Sequence, residues 1–193
     1  MIDPTWRPPV LETARLRLRP FAPADAPSLF AIARNPAVTR FTLWLAHRSV
    51  DDSRAFINEY AAGRYLERVP DPYALVLKES NQLIGAAGCY WATQANRCME
   101  LGYWLGEPFW GRGYATEAAR VLVSHVFADH AVERVQAHLI EGNDRSRRVL
   151  EKVGMRFEGV RRHGLYHGER FWNLHYYAAL RGDRATNNLA AGE

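Results

Sequence analysis

Apolar and polar residues alternate from Ala14 to Pro20, with Leu16 and Leu18 set between Arg15, Arg17 and Arg19, which predicts a half-buried strand that Pro20 ends. The period then lengthens. From Asp25 to Arg34, Leu29, Ile32 and Ala33 recur at helical spacing until Asn35-Pro36 stops them. A second helix is predicted over Asp51 to Leu66, with Asp51 or Asp52 near its cap and Phe56, Ile57, Tyr60 and Ala61 on one side. Tyr73 to Lys78 and Leu83 to Trp91 are β-rich runs around Glu79-Ser80-Asn81-Gln82 and read as a hairpin. Cys98 to Leu105 is another strand, with Met99, Leu101 and Tyr103 on one side and Glu100, Gly102 and Trp104 on the other. Which set faces inward is left open by the sequence.

A long helix follows from Gly113 to about Asp129, with Tyr114, Ala118, Val121, Leu122 and His125 as its stripe. Val135 to Ile140 is a short strand, and Asn143 to Val153 a helix with Asn143 or Asp144 as cap and Gly154 in the C′ position. Two last strands, about Met155 to Arg162 and Arg170 to Leu180, are joined by a turn containing Gly164 and Gly168. The order β, α, α, β, β, β, α, β, α, β, β demands parallel crossovers, so the expected architecture is a mixed sheet with helices packed on it. No internal repeat is visible.

Composition narrows the class. At 193 residues the chain spans one domain, expected over 12–181, with unperiodic tails at 1–11 and 182–193. Its 48% apolar and 24% charged content excludes a disordered chain. No window approaches eighteen uninterrupted apolar residues, and Met1 to Val10 carries Asp3, Arg7 and three prolines where a signal core would stand, so a cytoplasmic, membrane-free location is expected. Cys89 and Cys98 sit in separate strands and suit core packing better than a disulfide or zinc site. The net charge of +4 is spread without a long basic run, so it does not demand a nucleic-acid partner. Arg145, Arg147 and Arg148 suit either a bound phosphate or a solvated helix face.

The informative stretch is Trp110-Gly111-Arg112-Gly113-Tyr114-Ala115-Thr116, between a strand and the long helix. Its glycines let backbone amides converge, and the helix N-terminus adds partial positive charge, so a diphosphate fits there without a catalytic side chain. It lacks the Gly-Lys-Ser/Thr ending of an ATP-type loop and the third glycine of a dinucleotide fingerprint.

Chain order and this loop together resemble the GNAT superfamily of acyl-CoA-dependent N-acyltransferases, although Trp110 stands where the superfamily has Gln or Arg. The string Phe109 to Ala118 resembles the branch of the ribosomal-protein N-terminal acetyltransferases RimJ and RimL. So do Glu12 to Arg19, Glu100 to Leu105, Asn143 with Ser146, and Leu150 to Gly154. The resemblance implies a GNAT fold of mixed α and β structure: about seven mostly antiparallel strands, a V-shaped splay between two parallel ones, and about four flanking helices. Main-chain groups of Tyr103, Trp104 and Leu105 would pair with the pantetheine arm of acetyl-CoA. Amides of Gly111, Arg112, Gly113, Tyr114, Ala115 and Thr116 would take its diphosphate. Asn143 matches a pantetheine-contacting residue, and it is also a favoured helix cap.

The reaction so implied is direct attack of an amine on the acetyl thioester. It needs a neutral amine, a polarised carbonyl and a proton for the sulfur. Glu100 matches the place of a general-base carboxylate, His138 on the facing strand is a second candidate, and Ser146 could donate to sulfur. The tyrosine that many members carry as acid is replaced by Leu150. Phe41, Trp44, His47, Tyr60 and Tyr65, with the turn of His163, Tyr166, His167 and Glu169, mark where the family builds its acceptor site, although aromatics at such spacings more often belong to the core. His163, His167 and His175 lack companion ligands, so no metal is expected. The acceptor so implied is a protein or peptide N-terminus. A small-molecule amine is the alternative within enzymes, and a non-catalytic acyl-CoA-binding regulator the alternative outside them. A homodimer is common in such families, but no stripe here proves one.

Overall fold

The computed structural model describes residues 5–183, so residues 1–4 and 184–193 of the expected tails lie outside the description. Eight strands form one sheet: β1 (Leu11–Glu12), β2 (Leu16–Pro20), β3 (Tyr73–Leu77), β4 (Leu83–Thr93), β5 (Cys98–Leu105), β6 (Arg134–Ile140), β7 (Arg156–His167) and β8 (Arg170–Leu180). Their spatial order is β1-β2-β3-β4-β5-β6-β8-β7, and β5–β6 is the parallel pair among antiparallel ones. The strand beyond the expected seven is β1. It pairs Leu11 with Leu18 but is too short to show a period of two.

Helices cover both faces. On one lies α1 (Ala26–Ala33), followed by the single turn α2 (Pro36–Thr39). The Asn35-Pro36 pair read as a stop starts this turn: Asn35 Oδ1 accepts from Ala37 N at 2.9 Å, and Pro36 takes the first helical position. The next helix runs without interruption from α3 (Val50–Ala55) through a π-helical stretch, Phe56–Ala61, into α4 (Ala62–Leu66). Its cap is Ser49, two positions before Asp51, the nearer candidate; Asp52 closes a capping box by accepting from the Arg48 and Ser49 amides.

The opposite face carries α5 (Tyr114–Asp129) and α6 (Asp144–Val153). The buried stripe of α5 is Ala118, Ala119, Leu122, Val123, Val126 and Phe127, wider than the predicted one, of which Ala118 and Leu122 are buried and Tyr114 and Val121 pack at the margin. Of the two glycines in the last turn, Gly168 makes it, while Gly164 falls in a bulge of β7 between Arg161 and Leu165.

These two layers settle the orientation of β5. Met99, Leu101, Tyr103 and Leu105 join the core under α5, while Trp104 packs with the α1 and α3 side, so Glu100, Gly102 and Trp104 face that way. The feature that makes a site is where β5 and β6 part. They pair only at Cys98–Arg134, Met99–Val135 and Glu100–Gln136. Beyond that, β5 stays with β4 as far as Leu105–Gly85, and β6 stays with β8 as far as Ile140–Leu174. Each strand keeps its outer neighbour, so a cleft opens between them and the inner edge of β5 from Leu101 onward has no strand partner.

Candidate active site

The cradle lies at the wide end of this cleft. Gly111 and Gly113 both adopt positive φ (74° and 82°), a conformation glycine enters without strain, and Gly113 is the N-cap of the 16-residue α5. Glu117 N is the first amide to return along the helix, to Gly113 O at 3.0 Å. The amides of Tyr114, Ala115 and Thr116 therefore have no intrahelical acceptor, and the helix dipole reinforces them. A Cβ on Gly111 would meet nothing within 4 Å, so the loop borders open space. That main-chain set fits a diphosphate. Trp110, the departure from the superfamily motif, donates from Nε1 to Leu105 O at 2.7 Å and lies under the Arg145 guanidinium at 4.7 Å. Arg147 instead pairs with Asp144 and Glu151 on its own helix, the solvated-face reading.

The two ends of the quoted motifs meet each other. Glu117 accepts from Thr13 Oγ1 (2.5 Å), from the Arg15 amide (2.9 Å) and from Arg15 Nε (2.7 Å). Arg15 also donates to Arg112 O at 3.0 Å and sits 4.5 Å over the Tyr114 ring. One guanidinium thus joins the first strand, the loop and the helix.

A cavity of about 550 Å³ runs from the cleft to the α1 and α3 face. Its cleft end touches Tyr103, Asn143, Ser146 and Leu150; its other end is walled by Phe41, Trp44, His47, Phe56 and Tyr60. Trp44 meets Trp104 edge-on at 5.3 Å, and Phe56 stacks on Tyr60 at 5.3 Å. Tyr103 OH and Ser146 Oγ are 2.7 Å apart. Burial drives the Tyr103 phenol well above its ordinary pKa, only partly offset by Ser146, so it keeps its proton. Asn143 caps α6, accepting from Ser146 N at 3.2 Å, and lines the cavity at the same time.

On the floor, Glu100 is surrounded by donors. Tyr90 OH donates to Oε1 (3.1 Å), Gln136 Nε2 donates to Oε2 (2.9 Å), and His138 Nδ1 stands 2.7 Å from Oε1, close enough for an ion pair but off the line of a straight hydrogen bond. Burial alone would raise the Glu100 carboxyl, but His138, Gln136 and Tyr90 outweigh it and hold the group below its usual range. Near it on the same floor is Asp71, which the sequence reading passed over. Tyr60 OH donates to its Oδ2 at 3.0 Å, Arg64 Nε is 3.6 Å away, and burial pushes its carboxyl up to about 6 against those two groups.

Glu100, His138 and Ser146 thus share one cavity with Tyr103, Trp104 and Asn143, while Gly111 to Thr116 form the cradle beyond its cleft end. Two expectations need correction. Tyr65 is core: it is 2% exposed and donates to Pro72 O at 2.6 Å, because its place on α4 aims it under the segment before β3. His163, Tyr166, His167 and Glu169 lie on the β7–β8 hairpin and do not line the cavity, because β7 is longer than predicted and carries the turn outward. His163 there stacks on Phe171 at 5.3 Å. Among the described residues no three His, Cys, Asp or Glu converge as metal ligands, and no helix is long and apolar enough to cross a membrane.

An anion cradle opening into a cleft between two strands, with ionisable groups in the cavity beyond, suits a phosphate-bearing carrier whose far end lies in the cleft. Residues 15–156 match the acetyltransferase (GNAT) domain family, and the chain belongs to it: it is an acetyl-CoA-dependent N-acetyltransferase. It is 30% identical over 173 residues to the uncharacterized N-acetyltransferase YoaA of Bacillus subtilis (strain 168), covering 90% of this chain and 97% of that one. A GNAT-family acetyltransferase structure from Bacillus anthracis superposes with a TM-score of 0.80 at 24% identity, covering 90% of this chain and 99% of the other. RimL, a ribosomal L7/L12 α-N-protein acetyltransferase solved with coenzyme A, superposes with a TM-score of 0.78 at 20% identity, covering 89% and 98%. These two similarities establish the fold.

Proposed function

We propose that the chain transfers the acetyl group of acetyl-CoA to the N-terminal α-amino group of a protein or peptide. The amides of residues 111–116 hold the diphosphate and the free edge of β5 at 103–105 holds the pantetheine arm, with Asn143 across the cleft. Acetyl-CoA supplies an activated thioester; the chain's own residues orient the amine and manage protons. Tyr103 and Ser146, hydrogen-bonded to each other at the cleft end, supply the proton that the departing sulfur takes up, filling from β5 the role that Leu150 leaves empty on α6. Glu100 stays ionised, holds Gln136 and His138 at the point where the strands part, and presents negative charge to the incoming ammonium.

The observation that carries the α-amino reading is the condition of Glu100. A carboxylate held below its usual range by three partners is a weak base. An α-amino group, with a pKa near 7.7–8.0, is already about a tenth neutral at pH 7, whereas a lysine near 10.4 is almost wholly charged. Asp71, raised to about 6 in the same cavity, stands close enough to an α-ammonium to exchange protons with it but far below a lysine ammonium, so the site suits the α-amine, and positioning supplies much of the rate. The acceptor named for RimL, a protein α-amine, agrees with this reading. Exposed apolar residues at the acceptor end, Leu43 and Leu45, suit a peptide lying across the mouth.

The test is thiol release from acetyl-CoA against a panel of N-terminal peptides and free amines, with coenzyme A binding measured by calorimetry on the same preparation. Peptide-dependent turnover is expected. Turnover confined to small amines would replace the acceptor, and binding without turnover on any amine would favour a regulator.

A further inference from the structure

We propose that Asp71, set in the segment between α4 and β3, is the group that takes the proton from the acceptor ammonium. This rests on the acetyl-transfer reading of the cavity but not on which amine is the acceptor.

The segment is fixed from below. Tyr65 OH donates to Pro72 O and accepts from Phe21 N at 3.0 Å, and Cys89 N donates to Pro70 O at 2.9 Å, so the chain on either side of Asp71 is pinned to the core. Its side chain lies on Gly88 of β4: a Cβ at position 88 would come within 2.3 Å of Asp71 Oδ1 and 2.7 Å of its Cα, so only glycine leaves room for this carboxylate. In the register of β4 and β5, Gly88 opposes Gly102 and Tyr90 opposes Glu100. Gly88, on which Asp71 rests, is therefore the diagonal neighbour of Glu100 across the β4–β5 pair. Asp71 and Glu100 line the same cavity.

The two carboxylates differ in how they are satisfied. Glu100 has partners on both oxygens. Asp71 receives Tyr60 and the distant Arg64 on Oδ2 only; among the described residues Oδ1 accepts no hydrogen bond. Arg64 is shared, donating to Glu67 at 3.2 Å and lying 4.9 Å over the Tyr90 ring. The groups facing Asp71 are Tyr60, Arg64, Tyr65 and Glu67 from the helix and Cys89 and Tyr90 from β4. Of these Arg64 is the cation and Glu67 a second anion. Burial with this weak compensation lifts Asp71 to about 6, in the direction opposite to Glu100. Neighbouring carboxyls pushed apart in this way divide the work: one remains an anion, the other exchanges protons near neutrality.

The step balances as follows. The acceptor R–NH3+ gives one proton to Asp71 Oδ1. The freed lone pair forms the N–C bond at the thioester carbonyl, the C–S bond breaks with its electron pair on sulfur, the thiolate takes a proton from the Tyr103–Ser146 pair, and the second amine proton replaces it there. Asp71 releases its proton to solvent, leaving amide, thiol and one proton.

The experiment is the pH profile of kcat/KM for wild type, Asp71→Asn and Glu100→Gln, read as thiol release with an N-terminal peptide and with a free amine. Wild type should lose activity as pH falls through about 6. Asp71→Asn should lack that limb and lose about 100-fold in kcat at pH 7, with acetyl-CoA affinity unchanged by calorimetry. Glu100→Gln should keep the limb. A D71N enzyme with its limb intact and its rate within about twofold of wild type, against the 10²–10⁴ expected of an acid–base group, would overturn the assignment, as would loss of the limb in E100Q. Peptides that fail while free amines react would remove the proposed acceptor and leave the Asp71 profile to be read on those amines. Infrared difference titration of wild type against D71N decides without turnover: a carboxyl band titrating near pH 6 is expected, and an Asp71 that ionises in the ordinary aspartate range refutes the proposal.

Discussion

The two halves of this site are built in different ways. The proposed cradle at residues 111–116 is main chain: the groups it offers a diphosphate are amides, and their positions follow from two glycine conformations and the start of one helix. The acceptor end is side chain: aromatic walls from residues 41–60, a carboxylate from residue 71 resting on Gly88, and a second carboxylate from β5, brought together from segments far apart in sequence. A diphosphate is the same in every reaction of the family and can be met by backbone alone. An acceptor must be told from its competitors, which takes placed side chains and the burial that shifts their protonation.

The largest effect is expected where the backbone does the work. Gly113→Val puts a β-branched residue at φ 82° in the helix cap, and acetyl-CoA affinity measured by calorimetry should fall by at least about 100-fold while the far-ultraviolet spectrum is retained. An affinity within a few-fold of wild type would mean the cradle is no anion site. Next comes a stability effect of opposite sign at the acceptor end. The Asp71 carboxyl is raised from 3.8 to about 6 in the folded chain, so the stability it contributes is full below about pH 4 and lost as pH rises through 6. At pH 8 the wild type carries a cost of up to about 3 kcal/mol on that account. Asp71→Asn should then be more stable than wild type at pH 8 and no more stable at pH 4, as measured by denaturant unfolding at both. A variant less stable at pH 8 would make Asp71 a structural residue.

The same contrast separates what is legible in the sequence from what is not. Leu16 and Leu18 announce β2, and the loop with α5 behind it announces the cradle, because both are local in sequence. The faces of β5 stayed ambiguous because Met99 and Glu100 alternate in a strand covered on both sides, where period two carries no inside or outside. Asp71 gave no signal: a lone Asp-Pro before a strand reads as a turn, and only the fold lays it on Gly88 and buries it. The Tyr103 side chain was hidden for a similar reason. The motif places its main chain at the cleft, but that its phenol meets Ser146 depends on where α6 docks. Here Tyr103→Phe should lower kcat about tenfold, below the usual range for an acid because Ser146 remains as a donor. Its KM for acetyl-CoA should be unchanged; an unaltered kcat would remove the pair from proton delivery.

The smallest predicted effect cuts across the comparison itself. If the cradle were backbone only, no exposed side chain should matter to it, yet Glu117 ties Thr13 and Arg15 to the loop, and Arg15 holds Arg112 O and the Tyr114 ring. Burial would raise the Glu117 carboxyl, but Thr13, the Arg15 amide and the Arg15 guanidinium together hold it below its usual range. The tether is therefore intact at neutral pH and is lost as pH falls through that lowered value. Glu117→Gln keeps the shape and one acceptor oxygen but gives up the charge-assisted bonds. Because the pair is partly solvated, coenzyme A affinity at pH 7 should weaken only about three- to fivefold. Arg15→Ala should do the same, and the double variant should be no worse than either single one, since both break one tether. Additive losses would mean that Arg15 meets the coenzyme itself and that side chains share in the recognition of the diphosphate. Coincident losses would leave the amides as the recognising groups and Glu117 as the residue that keeps them in place.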